Sequence, residues 1–325
     1  MPPLEAQCME VGAGAAALTE KDLSEQKTLF QQDWWLDAAS CGTFETVEVK
    51  WDGTVVASLP FVRERCYGMR RLRMPRYART LGPAFKLPPA KPVQHRQNMI
   101  RVTAELLRKL PPHDSLHTVL HPGAGAGLAM SLAGCDLTAQ STFRVEAARD
   151  LDAAWAACDQ KTRNIIRKAR KTMRVMKHAD PDRFGALSRR DRFGAKNYHD
   201  FSALSRIFGA CHERDQGSIL AVHDETGREL GAAMLIWGTE ALYFWTTARD
   251  NKAGDNSVNA LLVWEAMILA QSLGLAFDSD GFSSPEAARF MLRFGFHEAT
   301  RLSVTRDCWS YHLLHTLVKP LRCSN

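Results

Sequence analysis

The sequence predicts an α/β protein of two halves, each a mixed sheet flanked by helices, on three observations. The chain has 325 residues, too many for one small domain and enough for two units of about 150 residues. Short β-patterned runs alternate along it with helical patterns instead of segregating to one end. The pattern then restarts near Ala148, which sets the halves at 28–147 and 148–325, behind a loosely ordered leader at 1–27.

In the first half, Gln26 to Ala39 places Phe30, Trp34 and Trp35 on helical spacing. Glu45 to Lys50 and Thr54 to Phe61 read as strands around Trp51-Asp52-Gly53, and Asp-Gly is a strong hairpin signal. Leu81 to Pro92 is loop, Val93 to Lys109 helix, Ser115 to His121 strand, Leu128 to Ala133 helix and Ser141 to Val145 strand. Gly123 to Gly127 imitates a phosphate loop but lacks the following Lys-Ser/Thr, so it reads as a connection.

In the second half, Asp150 to Thr172 reads as one long helix, Arg174 to His178 as a strand, and Pro181 to Ser188 and Phe201 to Glu213 as helices. Strands follow at Ser218 to His223, Leu230 to Trp237 and Ala241 to Thr247. A polar loop from Arg249 to Asn256 opens into an amphipathic helix, Ser257 to Ser272, which Gly274 stops. Ala276 to Ser279 is a strand, Pro285 to Arg293 a helix with proline in its first turn, and Glu298 to Arg306 the last strand.

Composition narrows the function. Hydrophobic residues make up 45% and charged residues 24%, ordinary values for a globular chain. No run of about 18 apolar residues offers a membrane span. The apolar patch Val11 to Leu18 follows Glu5 and Glu10 instead of a basic region, which argues against a secretory signal and for a cytoplasmic protein. The eight cysteines stand singly, with no C-x-x-C pair, and no metal-ligand cluster is visible. Net charge is +6 and unevenly placed. Arg63, Arg65, Arg70, Arg71, Arg73, Arg76 and Arg79 crowd one stretch; Lys161, Arg163, Arg167, Lys168, Arg170, Lys171 and Arg174 crowd another. Such runs attract phosphates, although a solvated face or helix-end cations facing the macrodipole account for part of them.

The closing order of hairpin strands, polar loop, long helix, strand, short helix and strand resembles the core of a GNAT acyltransferase. Ala287 to Glu298 is similar to the closing helix and Gly-Phe turn of that superfamily. Gln31 to Ala38, Arg163 to Ala169, Trp264-Glu265-Ala266 and Phe277 to Gly281 resemble the Fem-type aminoacyltransferases, over about residues 28 to 307. That resemblance implies tandem GNAT-like halves, with the transfer site in the C-terminal one. It implies amide formation between an activated acyl or aminoacyl group and a primary amine on a small molecule, peptide or cell-wall precursor. The donor would be aminoacyl-tRNA or, alternatively, acyl-CoA, as a co-substrate with no tightly bound cofactor. A non-catalytic RNA-binding protein on the same fold is the reading from another class.

Two departures qualify the resemblance. Acyl-CoA enzymes carry Gln/Arg-x-x-Gly-x-Gly/Ala before the long helix, where this chain has Lys252-Ala253-Gly254-Asp255-Asn256-Ser257, with one glycine and an acid. The Fem lysine of Phe-Lys-x-Gly-Phe-Gly falls on Met291, with Arg293 two residues on. Candidate catalytic residues are Asp280, a base at a strand end, and Tyr243, an oxyanion donor on the central strand. Candidate donor-phosphate or tRNA contacts are Arg163, Arg167, Lys168 and Lys171, together with Asn256 and Ser257 at the helix start, where ordinary N-capping explains the same residues. Capping or loop-holding roles fit Asp278 and Asp280 equally well, and core packing fits Tyr243.

Overall fold

The computed structural model describes residues 27–147, 149–190, 199–250, 256–282 and 284–311. The leader expected at 1–27 falls outside them, Lys27 excepted, as do Asn251 to Asp255 of the loop before the long helix.

After a 3-10 turn at Leu29–Gln31, helix α1 (Asp33–Ser40) leads into the hairpin of β1 (Glu45–Trp51) and β2 (Thr54–Cys66). Asp52 and Gly53 turn it at φ values of 48° and 82°, the left-handed pair that a two-residue hairpin requires. Strand β2 runs on into the basic stretch and turns at Tyr67-Gly68 into β3 (Met69–Arg73), a second hairpin that the arginines concealed in the sequence. Next come β4 (Ala84–Phe85), α2 (Pro92–Lys109), β5 (Ser115–Leu120), α3 (Gly127–Leu132) and β6 (Asp136–Val145).

The long helix expected from 150 to 172 is two helices, α4 (Leu151–Ala157) and α5 (Gln160–Thr172). Cys158 is extended, and the Asp159 carboxylate accepts from Thr162 N at 2.5 Å, so a new N-cap restarts the helix. Strand β7 (Met173–His178), α6 (Pro181–Arg190), α7 (Phe201–His212), β8 (Gly217–Asp224), β9 (Glu229–Trp237) and β10 (Ala241–Arg249) follow. The chain then forms α8 (Ser257–Ser272), β11 (Ala276–Asp278), α9 (Pro285–Leu292) and β12 (His297–Asp307). Helix α8 is buried on nearly every face instead of amphipathic, because strands β8 to β11 lie on one side and α5 on the other.

The strands join one mixed sheet in the order β1-β2-β3-β5-β12-β6-β11-β10-β9-β8-β7, with β4 paired to β2. The last described strand, β12, lies between β5 and β6, antiparallel to both, and so is built into the centre of the sheet. One hydrophobic cluster packs α5, α8 and α9 on one face, around Ile166, Leu262, Phe277 and Phe294. A second, around Phe30, Trp35, Phe208, Tyr243 and Trp245, covers the opposite face with α1, α6 and α7. A third seals the β1–β5 end under α2. No described helix is long and apolar enough to cross a membrane.

Gly295, the glycine of the Gly-Phe turn, shows how tightly α9 is joined to β12. Its φ is 68°, and a Cβ there would lie 2.5 Å from the Ala157 carbonyl oxygen. Gly295→Ala is expected to cost more than the roughly 1–2 kcal/mol of a left-handed alanine, since it also clashes with α4. Urea unfolding of the variant beside the parent measures that loss.

Candidate active site

Strands β10 and β11 run parallel but pair over only three residues, Ala241 to Tyr243 against Ala276 to Asp278. β11 then ends, while β10 continues to Arg249 on its β9 side. The two strands part at this point, leaving an edge of β10 without a strand partner. Arg79, carried in by the segment after β3, crosses the gap: its Nη2 donates to the Trp245 carbonyl at 2.8 Å. The neighbouring Tyr77 carbonyl accepts from Trp245 Nε1 at 3.1 Å.

On the β11 side the chain turns sharply after Asp278, with Asp280 at φ 66° and Gly281 at 81°. An aspartate tolerates this left-handed conformation better than most residues. The turn aims both carboxylates at a cluster of arginines. Asp278, 1% exposed, accepts from Thr142 Oγ1 at 2.6 Å, the Asp280 amide at 2.8 Å and Arg301 Nη2 at 3.0 Å. Asp280, its side chain 2% exposed, meets Arg301 Nη1 at 3.3 Å. Arg79 Nε lies 2.5 Å from Asp280 Oδ2, out of hydrogen-bonding alignment. Arg144 stands 3.9 Å from Asp278 and completes the group.

Burial pushes the Asp280 carboxyl up to about 6, against the pull of Arg79 and Arg301. Burial opposes the charge on Arg301 too, but Asp278 and Asp280 outweigh it, and its guanidinium titrates above the ordinary arginine value. A cleft of about 660 Å³ opens over this cluster, between Arg79, His117, Gln140, Asp280, Phe282 and Arg301. Burial, with Arg73 nearby, lowers His117, so its ring is neutral at pH 7.

The expected residues separate into three groups. Asp280 is at the cleft. Tyr243 does not line it: the side chain lies in the core, 2% exposed, with its ring 4.9 Å from Phe30, and burial raises the phenol above its ordinary value. The side chain expected to act as an oxyanion donor thus sits in the core, packed behind the cluster. Asn256 is the exposed N-cap residue of α8 and accepts from Arg249 at 3.3 Å, with Ser257 buried beside it.

The second basic run divides between structure and surface. Arg163 Nη1 donates to the last carbonyls of α4, Trp155 at 3.4 Å and Ala156 at 3.0 Å. Arg167 lies over the Trp155 ring, and Arg170 pairs with Glu265 at 2.7 Å. Lys168 and Lys171 remain exposed on α5. The first run is mostly spent on the fold, with Arg63 on Glu45, Arg70 on Asp114 and Arg71 near Glu64. Met291 is buried in the core, and Arg293 is exposed at the end of α9.

Sequence reasoning missed Arg79, Arg144, Arg301 and Thr142. Arg79 was hidden in a run read as a whole, and Arg301 in a strand whose neighbours gave no sign that it faced inward. One signal was available: Arg144 stands between Phe143 and Val145, where a charge among apolar strand residues requires a partner.

Residues 136–279 match the acetyltransferase (GNAT) domain family. Among solved structures, that of FemX superposes with a TM-score of 0.66 at 12% identity, over 93% of this chain and 99% of its own. L-PGS from Bacillus licheniformis superposes at 0.56 and 11% identity, over 88% and 91% of the two chains. A tandem GNAT protein from the clavulanic acid biosynthesis pathway superposes at 0.50 and 10% identity, over 82% and 83%. No curated protein sequence matches the chain. The match over residues 136–279 and the superpositions agree on a GNAT-type fold shared with FemX.

The cluster makes a measurable demand on stability. Removing Arg301 takes away the one guanidinium that hydrogen-bonds both buried carboxylates, and breaking buried pairs of this kind costs roughly 3–5 kcal/mol. Arg301→Met is expected to unfold at lower denaturant, with a larger deficit at pH 8 than at pH 5. The sign follows from Asp280: burial raises its carboxyl and Arg301 holds it down to about 6, so without Arg301 it titrates higher still. The variant therefore goes on losing stability as pH rises above 6, where the parent has already lost what Asp280 contributed. Equal deficits at both pH values would contradict it.

Proposed function

We propose that this protein is an N-acyltransferase that forms an amide between an activated acyl group and a primary amine, and that the gap between β10 and β11 is where the two meet. The observation that supports this reading is the parting of these two parallel strands beside a buried, basic carboxylate, Asp280. The amine nitrogen attacks the acyl carbonyl carbon and forms the C–N bond. The proton released from nitrogen passes to Asp280, and the C–O bond of the acyl ester breaks, its oxygen leaving with a proton. With its proton lost near pH 6, Asp280 is ionised at neutral pH yet more basic than an exposed aspartate.

An aminoacyl ester carried by tRNA suits this arrangement better than acyl-CoA. The arm of a CoA thioester carries amides that pair with a free strand edge, and Arg79 occupies the Trp245 carbonyl on that edge. Exposed cations, by contrast, are available on the α5 and α8 face. Lys161, Lys168 and Lys171 lie along α5, and Lys177 joins them from β7, the edge strand, on the side of Met173 and Val175. β7 stands three strands from β10, about 14 Å away, a distance that an acceptor stem spans easily. In this reading Tyr243 supports the cluster from behind, Asn256 faces the donor phosphates at the start of α8, and Ser257 backs it from the buried side.

The test incubates the full chain with labelled aminoacyl-tRNA or acyl-CoA and a pool of primary amines. Product that disappears after ribonuclease treatment supports the tRNA route, and ribonuclease-resistant transfer from acyl-CoA would overturn it. Asp280→Asn is expected to lower turnover about a hundred- to ten-thousand-fold and to abolish an inflection near pH 6 in kcat/KM. Tyr243→Phe should stay within a few-fold of the parent. Joint Lys168→Ala and Lys171→Ala should raise KM for tRNA and flatten its salt dependence by about two phosphate contacts.

A further inference from the structure

Three guanidiniums, Arg79, Arg144 and Arg301, surround two carboxylates, Asp278 and Asp280, so the cluster carries one positive charge more than its own acids balance. Burial makes that surplus costly. The Nε atoms of Arg79, Arg144 and Arg301 are all buried without a hydrogen-bond acceptor. Two further acids nearby are engaged elsewhere: Glu240, half exposed, pairs with His121 at 3.2 Å, and Glu298 accepts from Ser141; neither acid lines the cleft. Of the three arginines, Arg79 and Arg301 line it, and Arg79 is the accessible one, its side chain 34% exposed. Met74, Val119 and Phe282 add apolar wall beside these charges.

From this geometry we infer that the cleft is a carboxylate-binding subsite, and that the amine acceptor is an amino acid or a peptide end whose own carboxylate pairs with Arg79. One negative charge neutralises the surplus, whereas a phosphate near neutral pH would carry more charge than the cluster lacks. A guanidinium also receives a carboxylate through two parallel N–H···O bonds. The cleft opens on the face of the sheet opposite α5 and α8, the face that also holds Tyr243 and Trp245. An acceptor bound there would meet a donor arriving from the α5 side across the parted strands. Its amine would reach Asp280 while its carboxylate lay against Arg79. The inference rests on the transferase reading for the word acceptor, but the binding site stands on the charge balance alone.

The experiment measures binding by NMR or calorimetry on the full chain at neutral pH. L-Lysine and the dipeptide L-alanyl-L-alanine are compared with their C-terminal carboxamides, with inorganic phosphate as competitor. The free acids are expected to bind at least about tenfold more tightly than the carboxamides, about 1.4 kcal/mol. In Arg79→Gln, with folding checked by its thermal melt, that ratio should fall to about twofold or less. Equal binding of acid and carboxamide, no binding of either acid, a ratio unchanged in Arg79→Gln, or displacement by phosphate would each overturn the inference. The two readings fail separately: discrimination without transfer to any amine removes the transferase, and transfer without discrimination removes the carboxylate subsite.

Discussion

Asp278 holds the middle of the sheet together. Its carboxylate is reached by Thr142 from β6 and Arg301 from β12, and by the backbone amide of Asp280 at the turn that ends β11. These strands come from distant parts of the chain, and β12 lies between β5 and β6, more than a hundred residues before it. A single buried acid thus ties the last strand to the centre, at the point where the parallel pairing with β10 gives out. Were β11 longer, it would pair further along β10, and the gap that makes the site would close.

The cluster around it is an expensive way to build a core. Apolar residues of the same volume would often be as stable, or more so, than buried ion pairs. What ion pairs provide is directional contact. Arg79 joins a segment of the first half to a carbonyl and a carboxylate of the second, and no aliphatic side chain could satisfy both. Asp280 in turn stays poised between protonated and ionised because burial and two arginines pull it in opposite directions. The same charges that fix the architecture therefore set the chemistry available in the cleft.

How much of this could be read beforehand depended on the range of the interaction. Local signals held: Asp52-Gly53 makes its hairpin, Pro285 starts α9, and Gly274 ends α8. The helix break at Cys158-Asp159 was missed because a continuous apolar spacing hid an N-cap. The hairpin at Tyr67-Gly68 was missed because arginines on both strands looked like a charge run, when most of them are paired across strands or to nearby acids. Asp280 was legible from its place after a strand, but its partners were not. Arg79 lies about two hundred residues before it in the chain, and nothing local to either residue announces the contact.

The sheet also divides the two halves of the proposed reaction. Helices α5 and α8 cover one face and leave a row of exposed lysines and arginines beside it. The other face holds the cleft, lined by the accessible Arg79 and by the buried Arg301 and Asp280. A polyanion suits the first surface and a small zwitterion the second, and a continuous sheet would keep them apart. Where β10 leaves β11, Arg79 spans the gap, donating to the Trp245 carbonyl on one side and lying beside the Asp280 carboxylate on the other, so the residue proposed to receive the acceptor's carboxylate also stands between the two surfaces.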